Sequence, residues 1–283
     1  MKPNFKLSHG SYTVSKFHSG ELQVTTPIMS LSNIITGSIL SSDHIIELLQ
    51  LVETLRYTLP TTKLRLIMPY CAFSRQDRRC NRGESFSLKV FTSLINSCKF
   101  ESVTTYDNHS DVSTALLNNC RNVPVADILY KTVQDNFCNI VGYPPYGYDF
   151  SDHDYDFYIS PDAGANKKVL GCSKQFQVPM IRADKSRDLL TGNITHTEVF
   201  TTAEQLNNKT VLIIDDICAG GRTFIELAKA LKRIQPNVII HIYVTHGFFE
   251  YGLDELTKAG ISKFITTDSV CTLEDSSLTI IKI

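Results

Sequence analysis

The chain has 283 residues, 42% hydrophobic and 20% charged, enough for one large domain or two medium ones around a sizeable core. With 28 Lys and Arg against 29 Asp and Glu it lacks the basic field of a non-specific nucleic-acid binder, and no apolar run reaches the roughly 20 residues of a membrane span. "MKPNFKLSHG" has no signal-peptide apolar stretch, and the eight cysteines show neither C-x-x-C nor zinc spacing, so a reduced, cytoplasmic chain is expected.

Taken in chain order, "SDHIIELLQLVETLRY" (42–57) places apolar residues at helical spacing behind Ser42 or Asp43 as N-cap. "KLRLIMPY" (63–70) reads as a strand, 87–97 as a helix, "SVTTYD" (102–107) as a strand and 111–120 as a helix. The Tyr/Pro/Gly/Asp-rich stretch 142–156, or a point slightly before it, suits a boundary; we divide the chain into domains 1–130 and 131–283. Beyond it come strands at 156–160, 177–184, 210–216, 237–247 and 263–269, with helices at 222–234 and 251–260. Alternating elements, with several strands apolar on both faces, imply α/β domains with mainly parallel sheets covered by helices. Ligands of such sheets bind beyond the carboxyl ends of the strands, where Tyr70, Asp107, Ser160, Asp184, Asp216 and His246 fall.

"VLIIDDICAGGRTF", from Val211 to Phe224, is the most informative stretch. A buried strand ends in two acids, a small-residue loop follows, and a helix begins. Asp215 and Asp216 can bind ribose hydroxyls or a metal ion, or can simply cap the turn; the loop and helix N-terminus can hold a phosphate. The stretch resembles the D-D-x-x-D-T-G-G-T fingerprint of type I phosphoribosyltransferases and phosphoribosyl-pyrophosphate (PRPP) synthetases. "MPYCAFSRQDRR" (68–79) separates the two, because it is similar to the PRPP synthetase run P-Y-F-P-Y-A-R-Q-D-R. "TTYDNHSD" (104–111) resembles the family's D-L-H, "SPDAGANKK" (160–168) its P-D-x-G-G-x-x-R, "RADKSRDLLTG" (182–192) its flexible catalytic loop and "KFHSGELQV" (16–24) its R-F-S-D-G-E-x-x-V hairpin. "VTHGFF" (244–249) and "TTDS" (266–269) match its closing segments.

The resemblance implies two tandem type I phosphoribosyltransferase-like domains and transfer of pyrophosphate from ATP to the anomeric hydroxyl of a ribose 5-phosphate moiety, with Mg²⁺ as cofactor. It implies catalytic roles for Lys185 and Arg187, and ATP contacts from Phe17, Glu21, Arg75, Gln76, Asp77 and His109. His109 and Asp162 would be the metal ligands. Asp162, Asp215, Asp216, Ala219, Gly220, Gly221, Arg222 and Thr223 would hold the ribose phosphate, and Lys167 lies near the usual basic position of its motif. A homo-oligomer is implied, with the hairpin of Phe17 and Glu21 reaching a neighbouring subunit's ATP. Only about fifteen residues precede "KFHSGE", so the family's first strand and helix are expected to be missing or replaced.

Several residues depart from the pattern. Ala219 stands for the usual Asp, Gly220 for Thr, and Arg222 for a small residue. The loop can still hold a terminal phosphate, or it can have been rebuilt for a phosphate that is esterified, as in ADP-ribose. The product would then be an ADP-ribose pyrophosphate usable in NAD synthesis. A non-catalytic regulatory subunit of the family is the alternative of another class.

Overall fold

In the computed structural model, residues 1–27, 32–130, 155–187 and 194–283 are described, and the side chains of 186–187 and 194–196 are not. Residues 142–154 of the expected boundary lie outside the described residues. The chain divides into two compact units, Met1–Val123 and Pro124–Ile283.

In the first unit, β1 (Lys6–Leu7), β4 (Ile34–Thr36), β5 (Arg65–Ile67), β6 (Ser102–Tyr106) and β7 (Cys120–Val123) form one sheet in that order. The four later strands are parallel and β1 runs antiparallel at the edge. Helix α1 (Ser42–Thr58) begins where the Ser41 hydroxyl accepts the His44 N–H, and buries Leu48, Leu51, Val52 and Leu55 in the core. Helix α2 (Ser87–Ser97) contributes Leu88, Phe91 and Ile95 to the same core. Helix α3 (Asp111–Leu116) is shorter than the sequence pattern predicts: the chain turns at Asn119 (φ 53°) to feed β7. A separate hairpin, β2 (Thr13–Lys16) with β3 (Leu22–Thr25), is clipped to α1. The Gln50 side chain accepts the Val24 N–H at 2.9 Å and donates to the Leu22 carbonyl at 2.8 Å.

The second unit carries a seven-stranded sheet among the described residues, in the order β10 (Ile194–Val199), β9 (Met180–Arg187), β8 (Phe157–Ser160), β11 (Thr210–Cys218), β12 (Ile239–Gly247), β13 (Ile261–Thr267) and β14 (Leu278–Ile281). Only the β9–β10 pair is antiparallel. The apolar run of β11 is covered on both faces. Val211 and Ile213 pack with Phe224, Leu227 and Leu231 of helix Arg222–Ile234. Leu212 and Ile214 pack with Val169 and Cys172 of helix Asn166–Phe176. That last helix is absent from the sequence reading, which treats 160–168 only as a motif.

A buried polar triad fastens the start of the chain to α1. Glu47 accepts the Tyr12 hydroxyl at 2.6 Å and the Asn4 N–H at 2.8 Å, while Tyr12 Oη accepts the Phe5 N–H at 2.8 Å. Removing the hydroxyl leaves two buried groups short of a partner. Tyr12→Phe is therefore expected to destabilise the first unit by about 1–3 kcal/mol in denaturant unfolding, with the β-hairpin amides losing exchange protection first.

Candidate functional site

The second unit gathers charged side chains at the carboxyl end of its sheet. Period-two alternation along β11 aims Asp216 at the face covered by helix Asn166–Phe176. There Lys168 Nζ lies 3.7 Å from Asp216 Oδ1, with only 15% of the lysine side chain exposed. Asp215 Oδ1 accepts the backbone N–H of Asp216 at 2.9 Å. Burial, then the adjacent Asp216 charge and its hydrogen bond, push the Asp215 carboxyl well above the usual carboxylate range, against the pull of Lys168. The two carboxyl groups thus stand side by side at the strand end, with oxygens that a diol or a cation can engage.

Lys185 forms the other side. In β9, Ile181 and Ala183 face the core shared with helix Arg222–Ile234, and Lys185 shares their parity. Its ammonium donates to Asp162 Oδ2 at 2.7 Å and to Thr223 Oγ1 at 3.1 Å, and its side chain is 4% exposed. Burial alone would raise the Asp162 carboxyl; the hydrogen bond and charge of Lys185, with the N–H groups of Ala165 and Gly164, outweigh it and hold the carboxyl low. Lys185 thus joins the turn after β8 to the first turn of helix Arg222–Ile234. Sequence reading puts Lys185 and Arg187 in a loop. The strand instead continues through Arg187, paired with Ile194, and residues 188–192 of that loop lie outside the described residues. The side chain of Arg187 also lies outside them.

Between the acids and this helix runs the small-residue loop. Gly221 adopts φ +74°, and a Cβ there would come within 3.1 Å of Leu256. The Ala219 carbonyl accepts the Glu250 N–H at 3.1 Å, tying the loop to the segment after β12. A Cβ on Gly220 would stand 3.1 Å from the ring of Tyr251, which is 78% exposed. Arg222, the first residue of the helix, is exposed.

In the first unit, β5 and β6 pair in parallel, so the segments leaving them emerge at one edge. Arg75 and Gln76 are exposed on the chain after β5, and Asp77 is paired with Arg78 at 3.2 Å. His109 is exposed just after β6, where Asp107 is buried with φ 42°. Phe17 and Glu21 close the β2–β3 hairpin: the Phe17 N–H donates to the Glu21 carbonyl, and Phe17 is 56% exposed. Ser19 Oγ donates to Glu21 Oε2 at 2.7 Å.

Two residues placed at the candidate site are missed by the sequence motifs as read. Lys168, not the exposed Lys167, is the inward cation. The motif register distinguishes them, because P-D-x-G-G-x-x-R counted from Pro161 puts its basic residue at Lys168, and helical phase agrees, since Lys168 shares a face with buried Ala165 and Cys172. Tyr251 at the loop rim carries no motif signal.

Among the described residues no three His, Cys, Asp or Glu side chains form a ready metal cage, and no helix is long and apolar enough to cross a membrane. The oxygens on offer are hard donors: Asp162, Asp215, Asp216 and Asn166 Oδ1, which is buried without a hydrogen-bond partner. Such a set suits magnesium, which takes one or two carboxylates and fills the remaining positions with water and substrate phosphate.

Comparison with known proteins decides the family. The profile of the N-terminal domain of ribose phosphate pyrophosphokinase matches residues 2–98, and the phosphoribosyl transferase domain profile matches 161–259. The chain belongs to the ribose-phosphate pyrophosphokinase family. The ribose-phosphate pyrophosphokinase of Sulfolobus acidocaldarius is 27% identical over 229 residues, covering 80% of this chain and 72% of that one. That of Nitrosomonas europaea is 25% identical over 282 residues, covering 96% and 81%. Crystalline phosphoribosylpyrophosphate synthetase from Mycobacterium smegmatis superposes with a TM-score of 0.75 at 17% identity, over 97% of this chain and 86% of that one, and so shares its fold. The pyrophosphokinase family's tandem α/β domains, with parallel sheets flanked by helices, are those expected from the motifs.

Ionisation gives a test of the paired acids. A carboxyl whose folded pKa is raised keeps its proton longer when folded, so it draws down stability as pH climbs from the unfolded value to the raised one. Asp162, held low, acts the other way: its contribution is present above the unfolded pKa and is lost as pH falls through the folded one. Asp215→Asn is expected to raise the Tm of the unliganded protein at pH 8 by about 2–4 °C, the shift of ~1 kcal/mol in a domain this size, and to give no gain near pH 3. Differential scanning calorimetry across pH measures both.

Proposed function

We propose that the chain is an ATP-dependent pyrophosphokinase that acts on ribose 5-phosphate, giving AMP and PRPP. The observation that carries this reading is Lys185, a buried cation set between Asp162 and Thr223. A buried cation beside the small-residue loop suits a transferring phosphate, which favours an enzyme over a regulatory subunit. The N-terminal pyrophosphokinase profile likewise favours this chemistry over that of a plain phosphoribosyltransferase.

We assign ATP recognition in the first unit to Arg75, Gln76, Asp77 and His109. The guanidinium can fork onto phosphate and the amide can bond a base edge. Phe17 and Glu21, exposed at a hairpin tip, fit a contact with the adenine bound by a neighbouring copy of a homo-oligomer. In the second unit Asp215 and Asp216 orient the ribose hydroxyls, and the N–H groups of residues 219–223 take the 5-phosphate. The anomeric oxygen bonds to the β-phosphorus as its hydroxyl proton passes to solvent, the bond from that phosphorus to the α,β-bridging oxygen breaks, and AMP leaves with the electron pair. Lys185 and Arg187 neutralise charge on the transferring group, a role commonly worth about 3 kcal/mol of barrier. Magnesium, when bound with Asp162 among its ligands, would supply further neutralisation of the phosphate oxygens.

A second acceptor, ADP-ribose, is favoured by one local feature. The rim of the loop lacks the two polar side chains of the family pattern, has exposed Arg222 where a small residue is usual, and lies beside the Tyr251 ring at Gly220. A cation and an aromatic face suit a second phosphate and a base beyond the 5-phosphate.

Product analysis with ATP, Mg²⁺ and each acceptor tests both readings. Acceptor-dependent AMP release is expected, with Lys185→Ala lowering kcat about 10²- to 10³-fold at unchanged ATP affinity. AMP release that ignores the acceptor, or none at all, overturns the pyrophosphokinase reading. A preference for ribose 5-phosphate above tenfold in kcat/KM eliminates the second acceptor.

A further inference from the structure

We propose that Lys168 is a positioning residue for the acceptor sugar, acting through Asp216. The inference rests on the assignment of Asp216 to the ribose hydroxyls.

Lys168 is the third residue of helix Asn166–Phe176. A cation in the first turn of a helix opposes the macrodipole, and no acidic residue in that turn compensates for it. Its neighbour Lys167 satisfies the ordinary preference by remaining exposed. Lys168 instead turns inward, is largely buried, and places its ammonium 3.7 Å from Asp216 Oδ1. Nothing in the helix itself calls for that arrangement. The counter-charge lies on another element, at the strand end where the acceptor is held.

The consequence for binding is geometric. Asp215 and Asp216 are adjacent, and two neighbouring carboxylates repel and share protons. Lys168 breaks the symmetry between them by setting its ammonium 3.7 Å from Asp216 Oδ1, which anchors the orientation of that carboxylate. The charged groups facing the pair are Lys168, on its helix, and Asp162, in the turn after β8, with Lys185 bound to Asp162. Lys185 is already held by Asp162 and Thr223. Lys168 is thus the cation set against the paired acids, with its ammonium on the Asp216 carboxylate. Its effect should appear in acceptor affinity and leave ATP affinity alone.

The test uses the full chain and three variants: Lys168→Met, Lys168→Arg and the double variant Lys168→Met/Asp216→Asn. Calorimetric titration with ribose 5-phosphate and with ADP-ribose reads binding without turnover, and steady-state kinetics reads each KM. Lys168→Met is expected to weaken the preferred acceptor about 10- to 100-fold, the range for losing a charge-assisted contact. The ATP KM should stay within about twofold, and Lys168→Arg should retain most of the acceptor affinity. The double variant should recover the Tm lost in Lys168→Met without recovering acceptor binding, which separates positioning from mere folding. Unchanged acceptor affinity in a folded Lys168→Met overturns the inference while leaving the pyrophosphokinase reading intact. Equal weakening of ATP and acceptor also overturns it. If the unaltered chain binds neither acceptor, the underlying functional reading fails instead.

Discussion

Strand β11 is apolar on both faces, and the placement of the candidate site follows from that constraint. Four consecutive residues, Val211 to Ile214, are completely buried, alternately against two different helices. No polar group can be tolerated along that run without a partner. The first polar residues after it are Asp215 and Asp216, toward the carboxyl end of the strand, where the covering helices also begin. The acids, the small-residue loop and the N-terminus of helix Arg222–Ile234 are therefore forced into one region by burial alone.

Around those acids the electrostatics is divided between two lysines from different elements. Lys185, on the strand beside β8, is committed to Asp162 and Thr223. Lys168, on the helix of the opposite face, is committed to Asp216. Both ammonium groups are largely withdrawn from water, where charge interactions are strong and the loss of one partner costs several kcal/mol. On the proposed reading, an incoming phosphate or divalent ion exchanges partners with groups already paired. That preorganises the site, since the cations need not be collected from solvent when the anion arrives.

Much of this architecture is readable in the chain. The long apolar runs at 210–218 and 239–247 and the strongly amphipathic helix at 222–234 declare themselves by period. What escapes is short or disguised. Strands β4 and β7 span three and four residues, too few for a pattern to accumulate. Helix Asn166–Phe176 contains Gly171 and buries only Val169 and Cys172 among its own residues, so its apolar stripe is thin. The end of β9 carries Lys185, Ser186 and Arg187, whose polarity mimics a loop although edge pairing with β10 keeps it extended. The acids of the site were legible because paired carboxylates after a buried strand have few other uses. The partner of Asp216 needed a count along the motif, because residue type alone does not separate Lys168 from Lys167.

The clip made by Gln50 has a mechanical meaning. Its side-chain amide engages β3 with both ends, at the Val24 N–H and the Leu22 carbonyl, much as a backbone peptide would. Lys16 adds an ion pair to Asp43 at the start of α1. Helix and hairpin consequently form a single stiff lever, with Phe17 at its outer end. The position of that ring is therefore set by the helix, through the two Gln50 bonds and the Lys16 ion pair, as well as by the hairpin's own turn.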